Sequence, residues 1–325
     1  MAESVSLAGI TAGLNDYALN HKVEIVNQVM EIGFGGAPNS PIKPLSDYVN
    51  IFPADGEIVL SDLLTVDPLQ PGNKGSFDPK AYATFKTRKA KPEPVKVDLL
   101  FGEQKIRTMY NTYMARVAMK KYDPEVVPFE EWLIAKLNND VQYYLRTGMY
   151  KAALDANGTD SLDLFDGYVE QITDTIANAP ATINVVNMAA WTIDNAVTEA
   201  EKMADALPSK IAFQEGTVMV MTKAAKTLYQ KAFRKAYPSL PYNDGFGKTF
   251  LEGTNVEMII EEGVGTFARP FITTRDNLVA MYDESRIGDI AFDYQKRDRS
   301  MAFLMDFDFG VGICATELLY VGAFV

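Results

Sequence analysis

The sequence predicts an α+β fold: an extended N-terminal arm and an extended β-hairpin loop, then one long spine helix, then a mixed α/β region closed by longer strands. Three observations predict it. From Pro128 to Leu154 apolar side chains keep helical spacing over about 27 residues, or about 40 Å at 1.5 Å per residue. Beyond Asp166 short helical and strand-like runs alternate, with turn residues between them. In the tail Phe303, Met305, Phe307 and Phe309 alternate with Ala302, Leu304, Asp306 and Asp308. A period of two implies a strand with one packed face and one more polar face.

The elements follow in order. The first helix carries the stripe Leu14, Ala18, Ile25, Val29 and Ile32, and His21, the single histidine, falls on it. A lone histidine on an apolar helical face is expected to be a packed or interface residue rather than a catalytic one. The following EIGFGGAPNSPIKPLSDYVNIFPADG is rich in glycine and proline and reads as an extended arm that cannot be a compact domain by itself.

Residues 70–97 then hold Lys74, Lys80, Lys86, Arg88, Lys89, Lys91 and Lys96 against Asp78 and Glu93, a charge of about +5 in a chain of −12. In a monomer such a run is a solvated loop; in an assembly it is an arm whose basic groups meet an acidic surface on a neighbouring copy. A helix with Ile106, Met109, Tyr110, Tyr113, Met114 and Val117 on one face comes next. The spine helix opens at Pro128, with Glu130 and Glu131 in its first turn, as suits a helix N-terminus. Further on, Ala190, Ile193, Ala196, Val197, Ala200 and Met203 predict a helix over Asn187 to Leu207. GTVMVM is a strand, and Thr222 is placed to cap a helix running to Tyr237. NVEMII, FARPFITT and DNLVAMY are three short strands, and the tail from Asp289 supplies two or three longer ones.

Composition narrows the function. With 325 residues, 47% hydrophobic and 23% charged, the chain is an ordinary globular protein. A net charge of −12 argues against binding nucleic acid by phosphate neutralisation, though it is compatible with lying near packed DNA. One cysteine, Cys314, excludes an internal disulfide and a cysteine-rich metal site and suggests a reducing compartment. Its strand-like surroundings predict a buried, inert thiol. MAESVSLAGITAGLNDY lacks the pattern of a secretory signal, and the apolar LLYVGAFV is too short to span a bilayer. With one histidine and one cysteine, no nucleophile and base pair suggests itself, and no catalytic, cofactor-binding or metal residue is assigned.

Two runs resemble ligand loops. Asn243 to Gly253, NDGFGKTFLEG, ends its middle like a phosphate-binding loop, but the position for the opening glycine is Tyr242, and Gly253 with a β-like run follows where a helix is needed. It reads as a turn whose bends use Asn243, Gly245 and Gly247, with Leu251 and Gly253 leading into NVEMII. Asp155, Asn157, Thr159, Ser161, Asp163 and Asp166 are spaced like a calcium loop, yet the glycine is Gly158, fourth rather than sixth, and the last ligand is not glutamate. A polar linker is the simpler reading.

In the order of its elements, and in the runs GTVMVMTKAAKTLYQKAF, FLEGTNVEMIIEEGV, DNLVAMYD and MDFDFGVGICATELLYVG, the chain resembles phage major capsid proteins of the HK97 fold. The resemblance covers the whole chain in order. It implies an N-terminal arm over 1–55, an extended loop over 56–101, a peripheral domain with the spine helix over 102–165 completed by 286–325, and an axial domain over 166–285. It also implies a non-enzymatic shell protein that self-assembles into hexamers and pentamers of an icosahedral head around double-stranded DNA, bound without sequence specificity. The implied setting is the virion, after synthesis in the host cytoplasm, with a separate scaffolding protein, a portal and decoration proteins as partners, and no cofactor or membrane. Lys86, Arg88, Lys89 and Lys91 of the loop and Lys248 near the subunits' common axis become candidate inter-subunit contacts. Some family members join a loop lysine to an asparagine of another subunit; Lys86, Lys89 and Lys91 match by position only, and no run fixes the partner asparagine or assisting glutamate, so no cross-link is predicted. The alternatives are an encapsulin-like cargo compartment, which shares the fold, and a cytosolic nucleotide-binding enzyme using the 243–253 loop.

Overall fold

The computed structural model describes residues 7–22, 24–25, 45–65, 69, 83–119, 121, 123, 128–237, 249–267, 269–283 and 290–324. Helix α1 (Leu7–Asn20) buries Ile10, Leu14 and Ala18, and Ile25 continues the stripe. Its Asn15 is hydrogen-bonded in both directions to the backbone of Phe292, which accepts from the amide and donates to Oδ1 at 2.7 Å. The helix is thereby fastened to the closing strands of its own subunit. Val29 and Ile32, expected on the same stripe, lie outside the described residues.

A short 3-10 turn, Leu45–Asp47, leads into β1 (Asn50–Pro53). Leu45, Tyr48 and Val49 belong to the main core. The last part of the glycine- and proline-rich segment is therefore held in the body, because three apolar side chains find burial there. Strands β2 (Ile58–Thr65) and β3 (Ala83–Ala90) form an antiparallel hairpin, and β4 (Glu93–Gly102) follows after Lys91 and Pro92. Helix α2 (Glu103–Ala118) buries Ile106 and Tyr113 and partly covers Met109, Tyr110 and Val117, whereas Met114 is exposed.

The spine helix α3 (Phe129–Lys151) opens after Pro128, as expected, but ends three residues before Leu154. The Ala153 N–H donates to Leu162 O and the Gly167 N–H to Ala152 O, so the chain turns back on itself instead of continuing the helical ladder. Helix α4 (Tyr168–Asn178), for which the sequence reading had no element, packs Tyr168 and Ile172 into the same core.

The predicted helix over Asn187–Leu207 is corrected by the structure. Its first residues complete a strand, β5 (Asn184–Met188), and only Ala196–Asp205 is helical, as α5. The break has a local cause: Asn195 Oδ1 accepts from the Thr192 N–H and hydroxyl, and its amide donates to Ala190 O, closing a turn. Ile193 is accordingly exposed. After α6 (Ser209–Ala212) comes β6 (Val218–Met221), buried at every position. Thr222 then caps α7 (Lys223–Ala236), its hydroxyl accepting from the Ala225 N–H at 3.2 Å. The remaining strands are β7 (Glu257–Ile260), β8 (Phe271–Thr273), β9 (Leu278–Tyr282), β10 (Ala291–Gln295), β11 (Ser300–Ile313) and β12 (Tyr320–Phe324).

These strands build two five-stranded sheets. One runs β1-β9-β11-β10, with β4 along the other edge of β11; the second runs β5-β12-β8-β6-β7. The alternation in the tail is realised over most of the strand: Phe303, Met305, Phe307 and Phe309 are buried toward α1, α3 and α4 and Leu304 and Asp306 face outward, but Asp308, expected on the polar face, is buried. A second core, around Met203, Met219, Tyr229 and Met258, lies between α5, α7 and the second sheet.

Candidate assembly interface

The hairpin β2–β3 carries most of the predicted contact residues. Lys86 stands opposite Asp62 and Lys89 opposite Val59 in its register. Lys89 reaches Glu57 of its own chain at 2.5 Å, Lys91 reaches Glu93 at 3.2 Å, and Lys96 reaches Asp98 at 3.1 Å. These pairs are solvent-exposed, and exposed pairs contribute little to stability. Arg88 differs from the other three. It is half-buried at the hairpin root, where burial lowers its pKa against the opposing influence of Glu317 and Cys314. Lys248 lies outside the described residues.

The outward face of the first sheet is the acidic counterpart. The pairing of β11 with β4 and β10 sets Ala302 between Leu100 and Asp293, and Leu304 between Asp98 and Ala291, while Asp306 stands opposite Lys96. Leu100 is 62% exposed and Leu304 38%. Two apolar side chains rimmed by Asp98, Asp293 and Asp306 form a small mixed patch, the composition that meets a partner carrying basic and apolar groups.

Inside the subunit, sequence reasoning missed a buried polar cluster. Arg146 of α3 donates from Nε to Glu261 Oε2 at 3.1 Å and from Nη2 to Oε1, and Tyr48 donates its hydroxyl to the same Oε1. The Tyr150 hydroxyl donates to that of Tyr48 at 3.3 Å. Burial works against the Arg146 charge, but the hydrogen bond and charge of Glu261 outweigh it, and its pKa is raised. Tyr48 and Tyr150 are pushed well above the usual tyrosine value, first by burial. One residue after the 3-10 turn, two on the long helix and one at the end of β7 are thus tied together. The signal in the sequence was an arginine on the side of α3 that is otherwise apolar except for Asn138.

The 155–166 run takes an ordinary role, whereas residues 243–248 of the second run, with the predicted bends at Asn243, Gly245 and Gly247, lie outside the described residues. In the 155–166 turn, Asp155 Oδ1 accepts from the Asn157 N–H, Asp163 Oδ2 from the Asp160 N–H, and Asp166 Oδ1 from the Leu154 N–H. The carboxylates serve their own backbone, and among the described residues no group of three or more histidine, cysteine, aspartate or glutamate side chains could hold a metal ion. At the end of the 243–253 run Leu251 is buried and its N–H donates to Val256 O, Gly253 has φ +73°, and β7 follows. A turn and a strand therefore stand where a phosphate loop would need a helix N-terminus. His21 stacks on Tyr17 at 4.4 Å and pairs with Glu24 at 2.8 Å, at the half-exposed edge of α1 rather than in its packed stripe. Cys314, expected to be buried, is partly covered. Among the described residues no helix is long and apolar enough to cross a membrane.

No protein-family model and no curated protein matches the sequence. Solved structures match its fold nearly end to end. A chain of the satellite phage P4 procapsid, which includes the size determination protein Sid, aligns with a TM-score of 0.56 at 10% identity, over 93% of this chain and 98% of that one. A structure from Gordonia phage Cozz aligns with a TM-score of 0.50 at 13% identity, over 86% of each chain. The capsid of an empty GTA particle aligns with a TM-score of 0.50 at 12% identity, over 90% of this chain and 92% of that one. The chain has the HK97-like α+β fold of these shells, as the order of its elements implied.

Proposed function

We propose that the protein is the major shell protein of a tailed phage or prophage, assembling with copies of itself into hexamers and pentamers of an icosahedral head around double-stranded DNA. The observation that carries this reading is the fold match to chains of assembled particles over 90–93% of this chain. Charge supports it: the chain carries −12 overall, yet its projecting hairpin is basic and the outward face of its first sheet is acidic. Such complementarity between copies gives register and orientation more than raw affinity. In this reading Lys86 meets carboxylates such as Asp98, Asp293 and Asp306 of a neighbour, and Lys89 and Lys91 exchange Glu57 and Glu93 for them. Lys248 contacts a neighbour near the common axis, and no residue is catalytic. A scaffolding protein, a portal and decoration proteins are the further partners, and the shell is the site of action.

Electron microscopy of the expressed chain, alone and with the products of neighbouring genes, tests the reading. Rings, tubes or closed shells are expected. Persistent monomers under every condition would overturn it, and shells filled with protein cargo rather than DNA would favour the compartment alternative. A nucleotide-dependent rise in melting temperature, lost in Lys248→Ala, would instead support a nucleotide site; no shift at millimolar nucleotide is expected.

A further inference from the structure

The run MDFDFGVGICATELLYVG contains two glycines inside β11, Gly310 and Gly312, at the end of an otherwise bulky strand. Glycine inside a strand often marks the close approach of another backbone. Here the approaching segment is the root of the hairpin. Strand β4 pairs along one edge of β11 as far as Phe309 opposite Glu93 and then leaves that edge. Toward the N-terminus the chain crosses directly over β11. A Cβ on Gly310 would lie 2.7 Å from Lys91 O and 3.1 Å from Pro92 Cα. A Cβ on Gly312 would lie 2.6 Å from Leu60 Cδ1 and 3.0 Å from Ala90 Cβ.

The two positions are two residues apart on one face, the face that carries Leu304 and Asp306 farther along the strand. Leu60, Ala90, Val279, Met281 and Ala54 close a small apolar cluster around this crossing, separate from the two main cores. A two-stranded hairpin has little stability of its own, so its direction is set where it is anchored.

We infer that Gly310 and Gly312 form the seat that sets the angle at which the β2–β3 hairpin leaves the subunit, and through that angle where its lysines fall on a neighbouring copy. The inference rests on the shell-protein reading for its consequence, but not for its geometry. At Gly310 the contacted atoms are backbone, so a side chain there displaces the crossing itself. Restoring an ordinary contact of about 3.5 Å requires a shift of about 1 Å. A shift of about 1 Å roughly two residues, or about 7 Å, from the pivot grows to about 3 Å at the far end of a strand about 24 Å long.

The test uses the full chain with Cys314→Ser and spin labels on Thr65→Cys and Asp293→Cys, measuring the label separation in dissociated subunits by pulsed electron paramagnetic resonance. Gly310→Ala is expected to move the mean separation by about 2–4 Å, with a melting temperature lowered by a few degrees and a single cooperative unfolding transition kept. Gly312→Ala, whose closest neighbour is the end of a leucine side chain, is the milder variant and is expected to give a smaller shift; it serves if Gly310→Ala does not fold. Asp306→Ala, on the same face away from the crossing, is expected to leave the separation unchanged. Without labels, Gly310→Ala is expected to lose closed shells of parental size. An unchanged separation in both glycine variants overturns the seat, and a changed separation with shells of unaltered size and yield overturns its role in assembly. If the parent itself never assembles, the shell-protein reading fails while the separation still tests the seat.

Discussion

Glu261→Gln probes the buried cluster that joins three parts of the subunit. Glu261 accepts from Arg146 twice and from Tyr48, and the Arg146 and Glu261 side chains are 9% and 3% exposed. The substitution preserves shape but leaves the Arg146 guanidinium without its counter-charge in a site nearly closed to water. Removing one member of a buried pair costs about 3–5 kcal/mol, a large part of a typical stability of roughly 5–15 kcal/mol. The assay is urea unfolding of the dissociated subunit followed by fluorescence of Trp132, which lies in the same core. With a slope of about 3 kcal/mol per molar urea, the midpoint falls by about 1–1.7 M. Because Tyr48 bonds the same carboxylate, amide exchange in residues 45–53 and 257–261 accelerates together. The double variant Arg146→Leu with Glu261→Leu removes both charges and recovers most of the loss, since it leaves no unpaired ion. A midpoint within about 0.3 M of the parent for Glu261→Gln would refute the account, because an exposed pair behaves that way.

Alkaline pH destabilises the subunit through its buried phenols. Tyr48, Tyr150 and Tyr168 all have pKa values raised well above 10.0, with burial the first cause. Their contribution is full below the unfolded value and is lost as pH rises past about 10, at up to about 1.4 kcal/mol per pH unit for each phenol, as a titration by ultraviolet absorbance coupled to circular dichroism will show. Gly167→Ala places a Cβ 2.9 Å from Gly148 O and from the Tyr150 backbone, and costs about 1–3 kcal/mol in the same urea assay. Thr222→Ala removes the cap of α7 and costs about 1 kcal/mol, read as a loss of midpoint in the same assay.

Periodicity and caps carried a large part of the fold in advance. The phenylalanines of β11, the opening of α3 after Pro128 and the Thr222 cap are local patterns, and local backbone preference with one buried face is enough to produce each. The projecting basic hairpin was visible as a charge block. What went astray required a partner from far along the chain. Residues 184–188 become a strand because β12, more than 130 residues later, offers Val321 and Gly322 as parallel neighbours, and helical spacing around them could not reveal that pairing. Helix α3 stops at Lys151 because the returning chain binds Ala152 and Ala153.

The sequence by itself determined an acidic α+β chain with one long helix, a basic hairpin and a strand with two unlike faces, because each of those is written within a dozen or so neighbouring residues. Only the tertiary structure decided that Arg146 finds Glu261 and Tyr48, and that Gly310 and Gly312 make room for a crossing chain. Those outcomes depend on atoms brought together from segments up to 252 residues apart, as Leu60 and Gly312 are, and no local pattern encodes a distance across the fold.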